Sequence, residues 1–588
     1  LESAWEALED AGIVPADLSG SSTGVFIGIG INDYGRLQIP AQAEDRSLMD
    51  NYFIQGNALC ITANRISYAL NLQGPSLAID SACSSSMSAL HTACQSLRNG
   101  DSTLALVGGT NVILAPDNSV GLGKFLAPDG LCKTFDARAN GYTRGEGAIV
   151  FVLKRLSEAQ AAGDRIYAVI LGTSINQDGF SSGLTVPNGS AQETMLRTAL
   201  KNSGVQPGEI DYIEAHGTGT SLGDPIEANA LGAVFAPGRE AGQELLIGSV
   251  KTNIGHLEAG AGIAGVLKVA LALYHGESPP SLTFESPNPL IDFDRLRLQV
   301  VTKLRPWPKR EGPNRAGISS FGFGGTNSHA ILEAARVPAQ TETAPARAQR
   351  LFTLSAKTPE ALTEYARRFA EFLPANPDLG LAQVCATANR RRSVFPHRLV
   401  AVAADTTGLA QTLAAFAAGE PAPELVNGHP RQEQPRLAFL FTGQGSQYTG
   451  MGRALYDSEP VFRAALDRCE AIYRQASGES LLDIIFDQNG SQAGRIDHTA
   501  VTQPALFAVE WALAQLWQSW GIRPEIVTGH SIGEYVAACV AGVFSVEDGM
   551  KLVMARGRLM GALPSGGMML TLFAPVEQVL EAIGGGRQ

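Results

Sequence analysis

The chain lacks the features of a membrane protein, of a disulfide-rich secreted protein and of a zinc protein. No apolar run reaches the ~18 residues that a membrane-spanning helix needs, because Lys268 interrupts the nearest one, residues 263–274. The seven cysteines are scattered and odd in number, and no two of them form a Cys-x-x-Cys pair. We therefore expect reduced cysteines, a cytoplasmic location and no bound metal.

Basic residues are also outnumbered by acidic ones. The 45 Lys and Arg against 57 Asp and Glu give a net charge of -12 and a pI of about 5.4, which argues against nucleic acid or an anionic membrane as a partner. The one basic cluster of the second part of the chain, residues 390–392, is interpreted as a solvated turn. The chain is 45% hydrophobic and 17% charged, as in globular proteins, and its length allows roughly three or four domains.

Apolar periodicity divides the chain into three α/β parts. Short β-rich runs alternate with helical periodicity and Gly-rich turns as far as residue 335, which is typical of layered α/β domains. The periodicity is lost from 336 to 349, which predicts a linker before a smaller α/β part. A Pro- and Gln-rich stretch then leads into the third part. We predict domains at 1–335, 336–435 and 436–588.

Two nucleophile turns of different chemistry occur in this chain. Cys83 lies in Asp-Ser-Ala-Cys-Ser-Ser-Ser, and Ser531 lies in Gly-His-Ser-Ile-Gly-Glu. Each follows a short apolar run and precedes an amphipathic helix, an arrangement that presents a nucleophile at a strand-to-helix turn. A thiol and a hydroxyl that can each carry an acyl group predict an acyl-transfer enzyme with two stations.

Three further features accompany Cys83. The helix predicted after it ends at Asn99-Gly100, and the partial positive charge at its start predicts a stabilised thiolate. His216 and His256 each follow a strand-like run and lie in Gly-rich loops, where catalytic groups are displayed. The Gly-rich loop 321–327 can bring backbone N–H groups to a reacting carbonyl. A phosphate-binding loop is the rival interpretation, but no Gly-Lys-Ser/Thr or complete Gly-x-Gly-x-x-Gly follows a strand.

A helix start is predicted after His216. The run Asp224-Pro225-Ile226-Glu227 has the pattern of a capping box, with aspartate at the N-cap, proline at the first helical position and glutamate at the third.

The motifs around the cysteine and the two histidines resemble those of the β-ketoacyl synthases of modular type I polyketide synthases. They are Asp-Ser-Ala-Cys-Ser-Ser-Ser, Glu-Ala-His-Gly-Thr-Gly-Thr and Asn-Ile-Gly-His-Leu-Glu, and 133 positions separate Cys83 from His216 while 40 separate His216 from His256. The resemblance implies a thiolase-like layered α/β fold in which Cys83 accepts the acyl chain as a thioester. It also implies that the two histidines hydrogen-bond the malonyl thioester carbonyl while CO₂ leaves, and that the enolate attacks the Cys83 thioester.

The same resemblance implies supporting roles for neighbouring residues. The backbone N–H groups of Cys83 and Phe323 would form the oxyanion hole. Lys251 would support the site electrostatically together with Glu258. One departure from the family pattern is Gly260, where alanine is usual, and we expect this difference to be silent for the function of the site.

The Gly-x-Ser-x-Gly pattern around Ser531 also fits an α/β-hydrolase. No histidine follows Ser531, so a triad in the hydrolase order cannot be completed within this sequence. The loop Phe-Thr-Gly-Gln-Gly-Ser-Gln and the run Ala-Arg-Gly-Arg-Leu-Met resemble malonyl-type acyltransferases of polyketide synthases. The resemblance implies an α/β-hydrolase-like core, an oxyanion-hole contact from Gln444 and a grip of Arg556 on the free carboxylate of the extender. The resemblance also implies that Ile532, next to the serine, favours malonyl over methylmalonyl.

The ends of the sequence resemble positions inside the family's domains. The family's first segment would precede Leu1, and its acyltransferase histidine would follow Gln588. We therefore expect a segment of a longer polypeptide, with an incomplete acyltransferase core whose Ser531 does not turn over within this sequence.

The resemblance also implies the partners. The extender would arrive as malonyl-CoA and then be carried on the phosphopantetheine of an acyl carrier protein, no cofactor would be bound directly, and the ketosynthase would form a homodimer. A fatty-acid or polyunsaturated fatty-acid synthase is the close alternative, and a biosynthetic thiolase is a more distant one. A non-enzymatic partner resembling a chain-length factor, or a loading ketosynthase with Gln at the nucleophile position, would lack the nucleophile that Cys83 provides.

Overall fold

The structure, a computed structural model of the chain, describes residues 1–44, 51–309, 311–335, 349–430, 436–487, 490–564 and 573–582. The chain forms two compact units, Leu1–Gly428 and His429–Gln588. Residues 336–348 of the predicted linker and residues 431–435 lie outside the described residues. The predicted boundaries of three domains therefore stay a prediction.

The first unit contains two mixed sheets. The strands of the first sheet are β1 (Thr23–Gly28), β2 (Ser76–Ile79), β3 (Leu104–Asn111) and β4 (Gly147–Lys154). They lie in the order β2-β1-β3-β4, with β1 parallel to β2 and β3, and with β4 antiparallel to β3.

The second sheet has six strands in the described part of the chain, and a two-stranded ribbon lies beside it. The strands are β5 (Ala168–Gln177), β6 (Tyr212–Glu214), β7 (Leu245–Gly248), β8 (Glu277–Ser278), β9 (Leu298–Val300), β10 (Arg305–Pro306), β11 (Arg315–Phe321) and β12 (Thr326–Ala334). The sheet order is β5-β12-β11-β6-β7-β9, and β8 pairs with β10. Strands β11, β6, β7 and β9 are parallel, whereas β12 is antiparallel to both of its neighbours.

Helices form a layer between the sheets and cover their outer faces. They are α1 (Glu2–Asp10), α2 (Asp33–Glu44), α3 (Asn51–Asn57), α4 (Ile61–Leu70), α5 (Ser85–Asn99), α6 (Asp117–Gly121), α7 (Leu156–Ala161), α8 (Gly189–Ser203), α9 (Gly223–Phe235), α10 (Lys251–Ile254), α11 (Ala261–His275) and α12 (Phe293–Leu296). Helices α5 and α11 contact both sheets, α1 and α4 pack on the first sheet, and α8 packs on the second sheet and on α9.

The side-chain alternation of the strands explains this layering. In β1, Phe26 belongs to the core around α5 and α11, whereas Val25 and Ile27 belong to a separate core with α1 and α4. Because successive residues of a strand point to opposite faces, a sheet buried on both sides needs apolar residues at consecutive positions. The layered α/β fold predicted from the sequence is thereby confirmed, including the helix after Cys83 that ends at Asn99.

A third sheet belongs to the same unit. Its antiparallel strands are β13 (Arg350–Ala356), β14 (His397–Ala403) and β15 (Leu425–Gly428), and its helices are α13 (Pro359–Ala375), α14 (Leu381–Arg390) and α15 (Thr406–Ala418). This is the small α/β part predicted after the linker.

The basic cluster at residues 390–392 is not simply a solvated turn, as its composition suggests. Arg391 donates to the carbonyl of Gly12 (3.0 Å), and Arg392 donates to the carbonyl of Glu9 (3.4 Å). These carbonyls lie at and just past the end of α1, where a helix leaves unpaired acceptors and a partial negative charge. These two arginines, at the end of α14, therefore link the part of the chain that contains the third sheet to α1.

The second unit surrounds a two-stranded parallel sheet with helices. Its elements are β16 (Ala438–Phe441), β17 (Ile526–Gly529), α16 (Arg453–Ser458), α17 (Pro460–Ser477), α18 (Leu481–Phe486), α19 (Thr499–Ser519), α20 (Ile532–Val540), α21 (Val546–Gly561) and α22 (Val576–Ala582). Helix α19 is buried along most of its length and packs against α17, α20 and α21. Within the described ranges, no helix combines the length and the apolar character needed to cross a membrane.

The departure at Gly260 gives a test of the packing between β3 and α11. A Cβ on Gly260 would lie 3.4 Å from the nearest atoms of Gly109 and Thr110, an ordinary contact, and φ is -86°. Gly260→Ala should therefore raise the stability of the first unit by ~0.4–1 kcal/mol, because alanine restricts the unfolded chain. Differential scanning calorimetry measures the change.

Gly260 is the N-cap of α11, and Gly262, in the first turn of that helix, is the matched control. A Cβ there would lie 2.3 Å from Cγ of Met87 on α5. Gly262→Ala should lower stability by ~1–3 kcal/mol through overpacking. Equal effects of the two substitutions would contradict this description of the packing between α5 and α11.

Candidate active sites

Cys83 lies in the turn between β2 and α5. Ser84 is the N-cap of α5, and Ala82 has a left-handed φ of 56°. The hydroxyls of Ser84 and Ser85 donate to the carbonyls of Ser81 (2.8 Å) and Ala82 (2.6 Å). These local hydrogen bonds hold the strained turn that presents the thiol.

The Gly-rich loop between β11 and β12 meets this turn. A Cβ on Gly322 would lie 2.3 Å from the carbonyl oxygen of Ser81, so only glycine allows the approach. Ser320 Oγ donates to the carbonyl of Cys83 at 2.8 Å. The backbone N–H groups of Phe323 and Cys83 lie close enough to the Cys83 thiol to act on its pKa, which both lower. The structure therefore brings together the two amides that were expected to form an oxyanion hole.

The thiolate predicted at Cys83 is not the favoured resting form. Burial raises the pKa of the Cys83 thiol to about 11, although the positive charge of Lys251 and the two backbone amides act in the opposite direction. The position ahead of a helix is present, but desolvation outweighs it. The resting nucleophile is a neutral thiol.

His216 and His256 both accept a backbone hydrogen bond at Nδ1. Phe321 N–H donates to His216 Nδ1 (3.3 Å), and Glu258 N–H donates to His256 Nδ1 (2.8 Å). Since an amide N–H can only donate, each neutral ring must carry its proton on Nε2. The two ring centroids are 5.6 Å apart, with an interplanar angle of 85°.

Both imidazoles are neutral donors in the resting site. Burial lowers the pKa of His216 and the pKa of His256 well below the ordinary value, and the charge of Lys251 lowers both further. A neutral imidazole whose proton is on Nε2 presents one N–H to a bound carbonyl. The pair can therefore donate to an oxyanion without first losing or gaining a proton.

Lys251 is buried at the start of α10, and its ammonium donates to the carbonyl of His216 at 2.6 Å. Its expected partnership with Glu258 needs correction. Glu258 forms its ion pair with Arg144 (Nε–Oε1, 2.5 Å), while the carboxylates of Glu214 and Glu227 oppose the lowering of the Lys251 pKa by burial.

The capping box predicted at Asp224 and Glu227 is wrong. Helix α9 begins at Gly223, so Asp224 lies inside it, where its carboxylate accepts two amides from other loops. Glu227 accepts the N–H groups of His216 and Gly217, both at 2.8 Å. The carboxylates accept from these amides instead of capping α9 because each amide would otherwise be buried without an acceptor. The two carboxylates thus hold the loop that carries His216.

The sequence patterns do not single out residues 142–145, which lie against His256. His256 N–H donates to the carbonyl of Thr143 (2.7 Å), and Gly145 N–H donates to the carbonyl of His256 (2.9 Å). The ring of Tyr142 lies 4.9 Å from the His256 ring. The one available signal is an arginine within a Gly-rich run just before β4.

Ser531 lies between β17 and α20 and has a left-handed φ of 56°. The two glycines of its motif are required by close backbone contacts. A Cβ on Gly529 would lie 2.1 Å from the backbone of Gly533, and a Cβ on Gly533 would lie 2.4 Å from the carbonyl of Phe441. The turn is therefore a strained strand-to-helix elbow that exposes the hydroxyl.

Arg556 lies beside this serine. Its Nη2 donates to Ser531 Oγ at 3.2 Å, and its guanidinium lies 5.5 Å from the ring centroid of Tyr535. Its Nη1 is buried and has no hydrogen-bond partner among the described residues. A half-buried guanidinium with an unpaired donor next to the nucleophile is suited to bind a carboxylate.

Gln444 lies in the loop after β16, and its side chain points to α19. Its Nε2 donates to Thr499 Oγ1 (3.3 Å), and its Oε1 accepts from Nε2 of Gln503 (3.1 Å). Any contact to an oxyanion is therefore left to the backbone N–H of Gln444. Gly443 packs against the ring of His530, which brings this loop next to the Ser531 turn.

No metal-binding cluster of three or more His, Cys, Asp or Glu side chains occurs within the part of the chain that the structure describes. Both sites consist of a nucleophile, hydrogen-bond donors and buried positive charge.

Profiles of known families match the chain in four consecutive stretches. These are the β-ketoacyl synthase N-terminal domain at residues 1–159, the β-ketoacyl synthase C-terminal domain at 167–285, the ketoacyl-synthetase C-terminal extension at 287–402 and the acyl transferase domain at 438–582.

Curated relatives match almost the whole chain. A phenolphthiocerol/phthiocerol polyketide synthase of Mycobacterium tuberculosis (strain ATCC 25618 / H37Rv) is 46% identical over 99% of this chain. Polyketide synthase GfsE of Streptomyces halstedii is 44% identical over 99% of it. The chain spans 31% of the length of the first relative and 16% of the second.

Solved ketosynthases match most of the chain. The ketosynthase from module 6 of the bacillaene synthase of Bacillus subtilis 168 has a TM-score of 0.65 and 39% identity, covering 73% of this chain and 72% of its own. The oxazolomycin ketosynthase domain OzmH KS7 of Streptomyces albus JA3453 has a TM-score of 0.67 and 37% identity, covering 78% and 77%. The chain therefore belongs to the type I polyketide synthases, with a β-ketoacyl synthase domain and its C-terminal extension in the first unit and an acyltransferase domain in the second.

Proposed function

We propose that this protein extends a polyketide chain by decarboxylative Claisen condensation at Cys83 and loads the extender through Ser531. The observation that carries the proposal is a pair of neutral imidazoles, buried at His256 and half-buried at His216, whose Nδ1 atoms are both occupied by backbone amides. Such a pair can donate two Nε2–H hydrogen bonds to one oxyanion. Decarboxylative condensation needs that chemistry and no strong base.

The first step is acyl transfer to Cys83. The sulfur attacks the acyl thioester of the carrier protein, a new thioester forms on Cys83, and the phosphopantetheine thiol leaves with the proton. The N–H groups of Cys83 and Phe323 stabilise the tetrahedral oxyanion. Because the thiol has a raised pKa, proton loss accompanies the attack instead of preceding it.

The second step joins the two carbon chains. The bond between the malonyl carboxylate and its α-carbon breaks, CO₂ leaves, and the electron pair forms an enolate on the extender thioester. His216 and His256 donate to the enolate oxygen, and one such donor typically contributes ~3 kcal/mol. The enolate carbon attacks the Cys83 thioester carbonyl, a carbon–carbon bond forms, and the Cys83 sulfur leaves with the electrons of the broken bond.

The acyltransferase site around Ser531 supplies the extender. Ser531 Oγ attacks the thioester carbonyl of malonyl-CoA, a malonyl ester forms, and CoA leaves as the thiol with the hydroxyl proton. The phosphopantetheine thiol of the carrier then attacks the ester, a thioester forms, and the Ser531 oxygen leaves with the thiol proton. Arg556 binds the free carboxylate through its unused Nη1, and the N–H of Gln444 contributes to the oxyanion hole. A charged carboxylate entering a buried pocket needs such a partner, whereas an acetyl methyl does not.

The remaining parts of the proposal concern partners, location and domains. The partners are an acyl carrier protein, malonyl-CoA and a second copy of this chain that completes a homodimer, and no cofactor is bound directly. Free thiols at all seven cysteines are consistent with a reducing, cytoplasmic compartment. The domains are a ketosynthase at 1–335, a linker domain at 336–435 and an acyltransferase from 436 onward.

Cys83 should be the acylated residue of the first unit. After treatment with an acyl-thioester donor, peptide mass spectrometry should find the adduct on Cys83, and Cys83→Ala should abolish condensation because it removes the thiol that accepts the acyl chain. Cys83→Gln should retain decarboxylation of malonyl-carrier protein. An adduct on Cys60, Cys94 or Cys132 with none on Cys83 would refute the assignment.

The reactivity of Cys83 should rise with pH through the whole accessible range. With a pKa of about 11, the thiolate fraction grows about tenfold per pH unit between about pH 7 and 9.5. Iodoacetamide labelling of Cys83, quantified by mass spectrometry, should therefore show no plateau there. A plateau below about pH 8.5 would show that the helix start outweighs burial.

In a protein that contains the complete acyltransferase domain, Arg556 should select extenders that carry a free carboxylate. A hydrogen bond to a charged group contributes ~1.5–3 kcal/mol, so Arg556→Ala should lower the preference for malonyl over acetyl by roughly 10- to 150-fold. Competition among malonyl-CoA, methylmalonyl-CoA and acetyl-CoA is scored by the mass of acyl-Ser531. Unchanged discrimination against acetyl would remove the role of the arginine, and a methylmalonyl majority in the unaltered protein would contradict the role of Ile532.

A further inference from the structure

Glu258 adopts a backbone conformation that non-glycine residues rarely adopt. Its φ is 48°, in the left-handed region, which is unfavourable for a residue with a Cβ. Residues on both sides are held, His256 by its β-bridge and α11 by the core, so φ of Glu258 can change only if the peptide between Leu257 and Glu258 rotates. That peptide carries the Glu258 N–H, which donates to Nδ1 of His256, two residues earlier, at 2.8 Å. The proton position on His256 therefore depends on strained backbone at Glu258.

Arg144 holds the side chain of that strained residue. Its Nε and Nη2 donate to the two carboxylate oxygens of Glu258 at 2.5 and 3.1 Å, and its Nη1 donates to Ser119 Oγ at 2.7 Å. The side chains of Arg144 and Glu258 are 4% and 9% exposed, so this two-pronged ion pair is shielded from water. A planar guanidinium restricts both the position and the orientation of the carboxylate it binds.

The backbone of the same arginine adjoins His256. Arg144 and His256 form a parallel β-bridge, in which the His256 amide and carbonyl are both paired with the residues on either side of Arg144. One short segment thus fixes His256 twice. Its backbone sets the position of the residue, and its arginine side chain sets the conformation of Glu258.

We propose that Arg144 is a positioning residue for His256: by anchoring the Glu258 carboxylate, it stabilises the left-handed backbone that keeps the proton of His256 on Nε2. The inference rests on the proposed function, since it explains how one of the two oxyanion donors is prepared. It gives Glu258 a conformational role, different from a charge partnership with Lys251.

The substitutions Arg144→Met/Glu258→Gly and Arg144→Met/Glu258→Ala separate the two roles. Both remove the ion pair and leave no unpaired buried charge, which single substitutions would do. Glycine accepts positive φ without strain, whereas alanine does not. The glycine variant should decarboxylate malonyl-carrier protein roughly tenfold faster than the alanine variant. Equal rates would show that Glu258 acts through its charge and would overturn the proposal.

A second reaction distinguishes positioning from loss of fold. Acylation of Cys83 does not use the His256 donor, so its rate should be the same in the two variants to within about threefold. Arg315→Met is the matched control, because Arg315 also bridges carboxylates (Glu209 and Glu333) within this unit. It should leave the ratio of decarboxylation to Cys83 acylation unchanged. A parallel fall of both reactions in the alanine variant would assign the ion pair to stability alone.

A measurement without catalysis makes this test independent of the proposed reaction. Hydrogen–deuterium exchange at the imidazole Cε1–H of His256, read by mass spectrometry, reports the ring's environment and protonation. The glycine variant should match the unaltered protein, and the alanine variant should exchange faster. If His256→Ala leaves decarboxylation intact, the proposed function fails, but this difference in exchange still supports the positioning role. Identical exchange in both variants would overturn it.

Discussion

Backbone N–H groups held in a buried cleft are the constraint on which the first site depends. Burial keeps the Cys83 thiol protonated and both histidines neutral, so stabilisation of developing oxyanions must come from fixed dipoles, which act strongly where water is excluded. In the proposed reaction, the amides of Phe323 and Cys83 serve this purpose directly. Glu227 holds the loop of His216 by its amides, and Gly322 lets the loop after β11 touch the Cys83 turn. These contacts join segments far apart in sequence, and the layered core is therefore rigid support for the dipoles of the site.

Local signals in the sequence predict the parts of the fold that depend on neighbouring residues. The helix after Cys83 follows from apolar spacing and a closing Asn-Gly, and the layered sheets follow from strands that are apolar at consecutive positions. The capping box at Asp224 is wrong because its two carboxylates accept buried amides instead of capping the helix. These amides belong to the loop just before α9 and to Phe135, and the capping pattern does not indicate them. Arg391 and Arg392 are misinterpreted for the same reason, since their acceptors at the end of α1 lie almost the whole first unit away in sequence.

The site shows the same division between local and long-range information. Motif order and spacing predict which side chains lie together, and the structure places Cys83, His216, His256 and Lys251 around one cleft. Motif order and spacing do not predict the protonation states of these side chains. The helix start at Cys83 indicates a thiolate, yet desolvation, a property of the whole packed core, reverses the direction of the pKa shift. Arg144 is not identified from the sequence because it acts on His256 through the backbone conformation of Glu258, which no sequence pattern specifies.

The two nucleophile turns show how similar strain can serve different chemistry. At Ser531 the left-handed residue is the nucleophile itself, whereas at Cys83 it is the preceding residue, Ala82. The hydroxyl of the strained serine accepts from Arg556, the residue proposed to bind the extender. At the cysteine turn, the N–H groups of Cys83 itself and of Phe323 act on the thiol. The serine turn therefore places a nucleophile against a charge, whereas the cysteine turn places a nucleophile beside the two amides proposed as its oxyanion hole.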